Sequence, residues 1–245
     1  MFSLIKRRPY LKDLIPQNYT DIHSHLLPGI DDGAKYQDDT FFLIEGLLEM
    51  GVARFITTPH VMSNVWDNSR LDIESKLAST RTALVKEGCN APINAAAEYI
   101  LDSNFVGLFT SEPLLTLKGQ YVLVEMSYLN PPIQLYQVLF DLQVAGYKPI
   151  LAHPERYLFY HYNFDEYNKL KNAGCLFQLN LLSVVGYYGP AVAEIAKKLL
   201  SKGLIDFTGS DVHHQNHIKA FQRRTTIKDI KPLKAAMVNN TEFEF

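Results

Sequence analysis

Short apolar runs rich in β-branched and aromatic residues recur along the chain, separated by longer amphipathic stretches. Most of these runs are continuously apolar rather than alternating, which is typical of strands buried on both faces of a parallel sheet. Seven strands are predicted, at residues 20–25, 54–60, 93–99, 121–127, 148–153, 176–180 and 205–210. The alternation therefore predicts an α/β fold built on parallel strands.

The stretches between these strands have the apolar spacing of helices that pack on a sheet. Helices are predicted at 38–50, 70–85, 132–145, 165–173 and 190–201. Each is followed by a glycine suited to the left-handed end of a helix, namely Gly51, Gly88, Gly146, Gly174 and Gly203. A short helix and loop are expected within 102–119, and one last helix after Thr226. Seven strands with intervening helices favour a closed or nearly closed barrel, with an open doubly wound sheet as the alternative.

Length and charge limit the classes of protein to which the chain can belong. Its 245 residues suit one barrel domain, and a net charge of -2 argues against nucleic-acid binding. The basic run Lys6-Arg7-Arg8 is interpreted as a solvated N-terminal arm. We recognise no secretory signal and no apolar run suited to membrane insertion, and the two cysteines fit a reducing compartment. A cytoplasmic protein is predicted.

Residues able to bind a metal ion stand at or just beyond the ends of six of the seven predicted strands. In chain order the main ones are His23, His25, His60, Glu98, Glu125, His153, Asp211 and His213. Parallel barrels carry their active sites at the carboxyl ends of their strands. We therefore expect these side chains to meet on one face of the barrel.

Two features of this set are informative by themselves. His23 and His25 point to the same side of a strand because side chains alternate, so they can share a metal ion; as an isolated pair they could equally bond to backbone or water. Glu98 and Glu125 belong to apolar strands, where a buried carboxylate needs a cation. A lysine or arginine of the barrel is the alternative partner. Because no single strand supplies an obvious partner of this kind, we favour a metal.

Asp32 completes a candidate set of nine donors. The set is His23, His25, Asp32, His60, Glu98, Glu125, His153, Asp211 and His213. Nine donors exceed the roughly four to six positions around one ion, and they suit two or three ions bridged by a carboxylate. Mixed imidazole and carboxylate ligation favours manganese, iron or zinc over calcium or magnesium.

These motifs resemble the polymerase-and-histidinol-phosphatase (PHP) superfamily, and within it the bacterial PHP-type tyrosine-protein phosphatases of capsule and exopolysaccharide clusters. The motifs are Asp21-Ile22-His23-Ser24-His25, Leu27-Pro28-Gly29-Ile30-Asp31-Asp32-Gly33, Thr57-Thr58-Pro59-His60, Glu98-Tyr99, Val124-Glu125, Ala152-His153-Pro154-Glu155-Arg156-Tyr157 and Gly209-Ser210-Asp211-Val212-His213. They run in the order of the family from about Tyr19 to His213. The first run, through Asp31-Asp32-Gly33, is the most specific.

The resemblance implies one PHP phosphatase domain over residues 1–245, with 1–18 as an N-terminal arm, folded as a distorted seven-stranded TIM-like (β/α)7 barrel. It implies three ions, usually manganese in this branch. One would be held by His23, His25, Glu98 and Asp211; a second would share Glu98 and add Glu125 and His153; a third would take Asp32, His60 and His213.

The resemblance also assigns catalytic roles. Arg156 would contact the substrate phosphate. The alternative is a purely structural role, in a salt bridge at the barrel rim that could involve Glu155. Metal chemistry adds the hypothesis that a hydroxide bridging two ions attacks phosphorus. His60, His213 or Asp32 could deliver a proton to the leaving group, and the sequence does not choose among them.

Phosphotyrosine is the implied substrate. The aspartate at position 32 favours the tyrosine-phosphatase branch, since relatives that act on small phosphate esters often carry histidine at this position. The protein substrate would be a bacterial tyrosine kinase that regulates polysaccharide synthesis and export, and a homo-oligomer is left open. Tyr99, Tyr128 and Tyr157 could form an aromatic slot, although amphipathic rim residues are the favoured interpretation.

Four other functions compete with this one. The main alternative is a small-molecule phosphomonoesterase acting on histidinol phosphate or a sugar phosphate. The near-neutral charge argues against a nuclease or polymerase-editing module, and the full donor set argues against a non-catalytic kinase-binding barrel. A cysteine-dependent phosphatase is excluded, because neither Cys89 nor Cys175 is followed by the arginine that its phosphate loop requires.

Overall fold

In the computed structural model, residues 7–245 are described, and every strand pairing among them is parallel except for isolated bridges in loops. The strands are β1 (Tyr19–Asp21), β2 (Val52–Thr57), β3 (His60–Val61), β4 (Ile93–Ala95), β5 (Glu98–Ile100), β6 (Tyr121–Glu125), β7 (Lys148–Ala152), β8 (Leu176–Asn180) and β9 (Phe207–Gly209). They form one sheet in the order β1-β2-β4 and another in the order β3-β5-β6-β7-β8-β9. The predicted α/β fold with parallel strands is confirmed.

Two of the seven predicted strands are each divided in two. The run 54–60 contributes β2 to the first sheet and β3 to the second, and 93–99 likewise contributes β4 and β5. Pro59 lies at the first division and has no N–H to give to a ladder. Backbone bonds nevertheless continue across the gap, from Ala96 N to Thr57 O at 2.9 Å and from Glu98 N to Pro59 O at 3.0 Å. The prediction of single strands was wrong at these two places.

Eight helices connect or follow these strands along the described chain. They are α1 (Gln37–Leu48), α2 (Arg70–Lys86), α3 (Phe105–Ser111), α4 (Leu135–Val144), α5 (Asp165–Asn172), α6 (Pro190–Ser201), α7 (Gln215–Ala220) and α8 (Lys231–Asn239). All but the short α7 were predicted, and the five predicted glycine stops all have positive φ. Over residues 7–245, no helix has the length and apolar character needed to cross a membrane.

The ends of β1 and β9 meet through backbone and side-chain hydrogen bonds. Asp211 N donates to His23 O at 2.7 Å, and His25 N donates to Val212 O at 3.0 Å. Below them, the buried amide of Asn240 donates to Thr20 O at 2.9 Å and to Thr208 O at 2.7 Å. The first and last units of the fold therefore lie side by side.

The segment before β1 packs onto this body. Leu11, Leu14 and Ile15 are buried, and Leu11 N donates to Arg223 O at 3.0 Å. Of the predicted basic arm, Arg7 and Arg8 are exposed, while Lys6 lies outside the described residues.

Candidate metal centre

All nine predicted donors converge at the carboxyl ends of the strands. Within each of four overlapping groups, one ligand atom per residue lies within 4.8 Å of the others. The groups are His25, Asp32, His60 and His213; His23, Glu98 and His153; His23, His25 and Asp211; and His60, Glu98 and Glu125. The strands thus bring together residues up to 190 positions apart in the sequence.

His23 and His25 each have one ring nitrogen held by a hydrogen-bond acceptor. His23 Nδ1 lies 2.7 Å from Gln178 Oε1, and His25 Nδ1 lies 2.7 Å from Asp31 Oδ2. The amide of Gln178 is oriented by its own bond from Nε2 to Leu179 O at 2.8 Å. Both Nδ1 atoms therefore carry the proton, and the two Nε2 atoms face each other at 3.4 Å. Such convergence of lone pairs fits a shared metal ion.

Glu98 lies at the centre of the cluster. Its Oε2 is 3.2 Å from both His23 Nε2 and His60 Nδ1, and its Oε1 is 3.2 Å from His153 Nε2. Burial acts to raise its pKa, but His23 and His60 outweigh burial and hold the pKa of Glu98 well below its usual value. Although these two imidazole nitrogens are near, the buried Oε2 forms no hydrogen bond of good geometry within the described chain. An ionised, unsatisfied oxygen here fits a carboxylate that bridges two ions.

The buried carboxylates of Asp211 and Glu125 also lie where a nearby positive charge would stabilise their ionised form. Burial favours neutral His23, yet Glu98 and Asp211 outweigh burial and raise the pKa of His23 well above its usual value. Glu125 lies 3.5 Å from His153 and 3.7 Å from His60, and burial together with the charge of Glu98 raises its pKa to about 7. Metal ions bound by these carboxylates would supply that positive charge.

The outer part of the cluster, formed by Asp32, His60 and His213, lies towards solvent. Asp32 Oδ1 is 3.4 Å from His60 Nε2 and 3.5 Å from His213 Nε2, and its side chain is 55% exposed. His60 connects this outer group to the buried one, because its other nitrogen, Nδ1, faces Glu98. One imidazole thus stands between both parts of the site.

Two of the nine donors have strained backbone. His153 has φ 35° and Asp211 has φ 50°, in the left-handed region that costs a non-glycine residue of order 1 kcal/mol or more. His153 directly follows β7, and Asp211 follows β9 after one residue, Ser210. The turn aims each side chain back over the strand ends, where the other donors meet.

Arg156 lies beside the cluster and is held on three sides. Its Nη1 donates to Asp211 Oδ2 at 2.8 Å. The guanidinium lies between two aromatic rings, with Cζ 4.8 Å from the ring centroid of Tyr128 and 4.2 Å from that of Tyr188. Arginine stacks well in this way because its guanidinium is planar and weakly hydrated.

The alternative salt bridge from Arg156 to Glu155 is absent among the described residues. Glu155 is buried beneath the site, where it accepts from Ser183 Oγ at 2.6 Å and from Asn180 N at 3.0 Å. Burial raises its pKa to about 7. Arg156 instead lines a cavity of about 510 Å³ together with seven of the nine predicted donors.

A protein-family model described as "Capsular polysaccharide synthesis, CpsB/CapC" matches residues 19–231. The chain belongs to this family. Tyrosine-protein phosphatase YwqE of Bacillus subtilis is 28% identical over 195 residues, which are 79% of this chain and 77% of YwqE. The putative tyrosine-protein phosphatase CapC of Staphylococcus aureus is 29% identical over 195 residues, 79% of this chain and 76% of CapC.

Solved structures give the same assignment. A chain from the crystal structures of YwqE from Bacillus subtilis and CpsB from Streptococcus pneumoniae, described as metal-dependent tyrosine phosphatases, matches with a TM-score of 0.77 and 27% identity. The match covers 91% of this chain and 87% of that one. The resemblance drawn from the sequence motifs is confirmed.

Only one of the three suggested slot tyrosines lines the cavity of this CpsB/CapC family member. Tyr128 does so, and it contacts His153. Tyr99 and Tyr157 are instead buried, and their hydroxyls accept from Leu115 N and Met126 N. The rim interpretation is therefore wrong for these two, whose polar ends are satisfied inside the protein.

Several residues of the site were not found from the sequence. Gln178 and Asp31 orient the two central histidines, Tyr188 stacks on Arg156, and Asn180 Nδ2 donates to both Tyr188 and Asp211. Gln178 and Asn180 belong to β8, which corresponds to the predicted strand at 176–180, the one predicted strand to which no donor was assigned. Two amides inside an otherwise apolar strand were the available signal. His217, expected in an exposed loop, is buried and accepts from His213 N.

Proposed function

We propose that this protein is a metal-dependent protein-tyrosine phosphatase. The observation that carries the proposal is the convergence of the two Nε2 atoms of His23 and His25 on Glu98 and Asp211, two carboxylates that line one cavity with the guanidinium of Arg156. The family and the named relatives support the same activity. A histidine and carboxylate cluster beside a fixed arginine suits the stabilisation of negative charge on a phosphoryl group.

The nine donors would hold three ions in the arrangement that the resemblance implies. Manganese is our proposed metal; iron or zinc would also suit these ligands. The ions, when bound, supply Lewis acidity and a hydrolytic water that is reactive near neutral pH. Gln178 and Asp31 would keep the Nε2 atoms of His23 and His25 free for the ions.

The protein groups around the ions would position the ester. Arg156, which already donates from Nη1 to Asp211, would bind the phosphate oxygens as a fork through two of its other N–H groups. The outer group of Asp32, His60 and His213 lies towards solvent, where a leaving phenolate would emerge, and we assign proton delivery to it. Since tyrosine has a pKa near 10, its phenolate needs less help from an acid than a serine alkoxide does.

The proposed physiological substrate is a phosphotyrosine protein, namely a bacterial tyrosine kinase that regulates polysaccharide synthesis or export. The description of the family as one of capsular polysaccharide synthesis supports this choice. The alternative, a small-molecule phosphatase, would use the same metal cluster.

We further propose that the nine strands form one distorted seven-unit barrel and that residues 1–245 are a single domain. The hydrogen bonds that join the ends of β1 and β9 support closure, and the buried residues 11, 14 and 15 support one body. A cytoplasmic location is proposed, and the two free cysteines suit a reducing compartment.

The substrate is tested by comparing turnover of a phosphotyrosine peptide with turnover of histidinol phosphate by the manganese-loaded protein. We expect kcat/KM to be higher for the peptide. A higher kcat/KM for histidinol phosphate would instead assign the small-molecule reaction to this site.

Replacing Tyr188 tests whether aromatic stacking positions Arg156. Tyr188→Leu removes one face of the stack and is expected to raise KM for a phosphotyrosine peptide roughly tenfold. Tyr188→Phe keeps the ring and loses only the contact with Asn180, so its KM should remain near that of the parent protein. Equal effects of both variants, or loss of bound metal in either, would contradict a role in positioning Arg156.

A further inference from the structure

A second cavity lies next to the candidate metal centre. Its volume is about 330 Å³, compared with about 510 Å³ for the cavity that contains the metal-binding residues. Met62, Trp66 and Ile100 line both. The two cavities are therefore adjacent, and a peptide whose phosphotyrosine enters the first can place a neighbouring side chain in the second.

The first wall of this second cavity is the loop that follows β3. Met62 and Trp66 are joined by two backbone hydrogen bonds, at 3.0 and 2.8 Å. Asn68 Nδ2 donates to Ile30 O at 2.9 Å and to His60 O at 2.8 Å. This wall is thus tied directly to the strand that carries His60.

The opposite wall follows β5, the strand that carries Glu98. It contains Asp102 and, in α3, Phe105 and Leu108. Asp102 Oδ1 accepts from Asn104 N at 2.8 Å and from Phe105 N at 3.0 Å, so backbone amides hold it at the start of the helix. Both walls are continuous with metal-binding strands, and their position relative to the centre is set by the fold.

The charged side chains that line the second cavity are all acidic, and the nearby Arg70 donates to Pro113 O at 3.2 Å. Asp67, Asp102 and Glu112 line it, and the residues of 7–245 that line it include no lysine, arginine or histidine. Within residues 7–245, none of these three carboxylates forms a salt bridge with a lysine or an arginine. Trp66 and Phe105 add aromatic surface beside them. Carboxylates next to aromatic rings complement a long cationic side chain, whose stem packs on the rings while its head meets the charges.

Resting on the proposed function, we propose that this second cavity binds a lysine or arginine of the substrate that lies within a few residues of the phosphotyrosine. The site would select phosphotyrosine sequences with a basic neighbour and disfavour those with an acidic neighbour. This selection is additional to the chemistry of the metal centre, because none of the three carboxylates belongs to the nine donors.

The proposal is tested with phosphotyrosine peptides that carry lysine, alanine or glutamate at each of three positions on either side of the phosphotyrosine. At one or two positions, lysine is expected to raise kcat/KM about fivefold over alanine, and glutamate to lower it. The preference should weaken as ionic strength rises. Equal kcat/KM for the three residues at every position would overturn the proposal while leaving the phosphatase function intact.

Variants of the carboxylates assign the preference to this cavity. Asp102→Asn with Glu112→Gln removes two charges and should bring the ratio of lysine to alanine peptides close to one. The matched control is Asp229→Asn with Glu87→Gln, because Asp229 also accepts from a backbone amide, Lys231 N. The control should keep the preference. Glu112→Lys should reverse it in favour of the glutamate peptide.

Binding can also be measured without turnover. Trp66 is the single tryptophan of the chain and lies on the border of the two cavities, so its fluorescence reports on binding at this border. Titration with the unphosphorylated lysine peptide should change this fluorescence, and the alanine peptide should change it less. If no phosphotyrosine peptide were hydrolysed, the proposed function would fail, but this titration would still support or overturn binding of the basic side chain.

Discussion

Replacement of Glu98 by glutamine is expected to lower phosphotyrosine turnover about a thousandfold and to reduce the number of bound metal ions. Glu98 is buried, and its oxygens face His23, His60 and His153 at 3.2 Å. Glutamine has nearly the same shape, but it lacks the charge and cannot bridge two cations. The measurements are kcat for a phosphotyrosine peptide and metal content per chain.

Glu155→Gln is the matched control for that variant. Glu155 is also a buried carboxylate at this end of the strands, but its partners are Ser183 and the backbone of Asn180 rather than the histidine cluster. We expect Glu155→Gln to retain both metal and turnover within a few-fold. Full metal content and full activity in Glu98→Gln would mean that the cluster is not the metal centre.

Replacement of Arg156 by alanine is expected to lower kcat/KM for a phosphotyrosine peptide by roughly a thousandfold while most of the metal stays bound. The guanidinium faces the cavity and is fixed between Tyr128 and Tyr188, so it is preorganised to bind phosphoryl oxygens. Arg156→Lys should restore only part of the loss, because an ammonium cannot form the two parallel bonds of the guanidinium.

Arg223→Lys provides the control for the arginine variants. Arg223 also lies over a tyrosine ring, with Cζ 5.5 Å from the ring centroid of Tyr187, and it is not among the residues that line the metal cavity. Its replacement should leave kcat/KM unchanged. If Arg156→Ala kept normal kcat/KM, or if inorganic phosphate inhibited it as strongly as the parent protein, Arg156 would have no role in phosphate binding.

Which residues approach one another was predictable from local sequence, because parallel strands bring their carboxyl ends together. Seven predicted strands, with donors at the ends of six of them, were enough to place Glu98, His153 and Asp211 near His23. The glycine stops were predictable for the same reason, since a helix end and its left-handed residue are neighbours in the chain.

Features that depend on contacts distant in the sequence were not predictable. The division of 54–60 and 93–99 between two sheets results from how neighbouring units pack, and only Pro59 gave a local sign of it. Asn240 joins Thr20 to Thr208 from the far end of the chain. The roles of Gln178 and Tyr188 likewise arise only where β8 and its following turn meet other strands.

The central claim is that metal bound by this histidine and carboxylate cluster is required for phosphotyrosine hydrolysis. The most direct test is to count metal ions per chain and to measure phosphotyrosine-peptide hydrolysis before chelation, after chelation and after manganese is added back. We predict about three ions in the active protein, loss of turnover when they are removed, and recovery with manganese. Full turnover by the metal-free protein, or no turnover by the fully loaded protein, would contradict the claim.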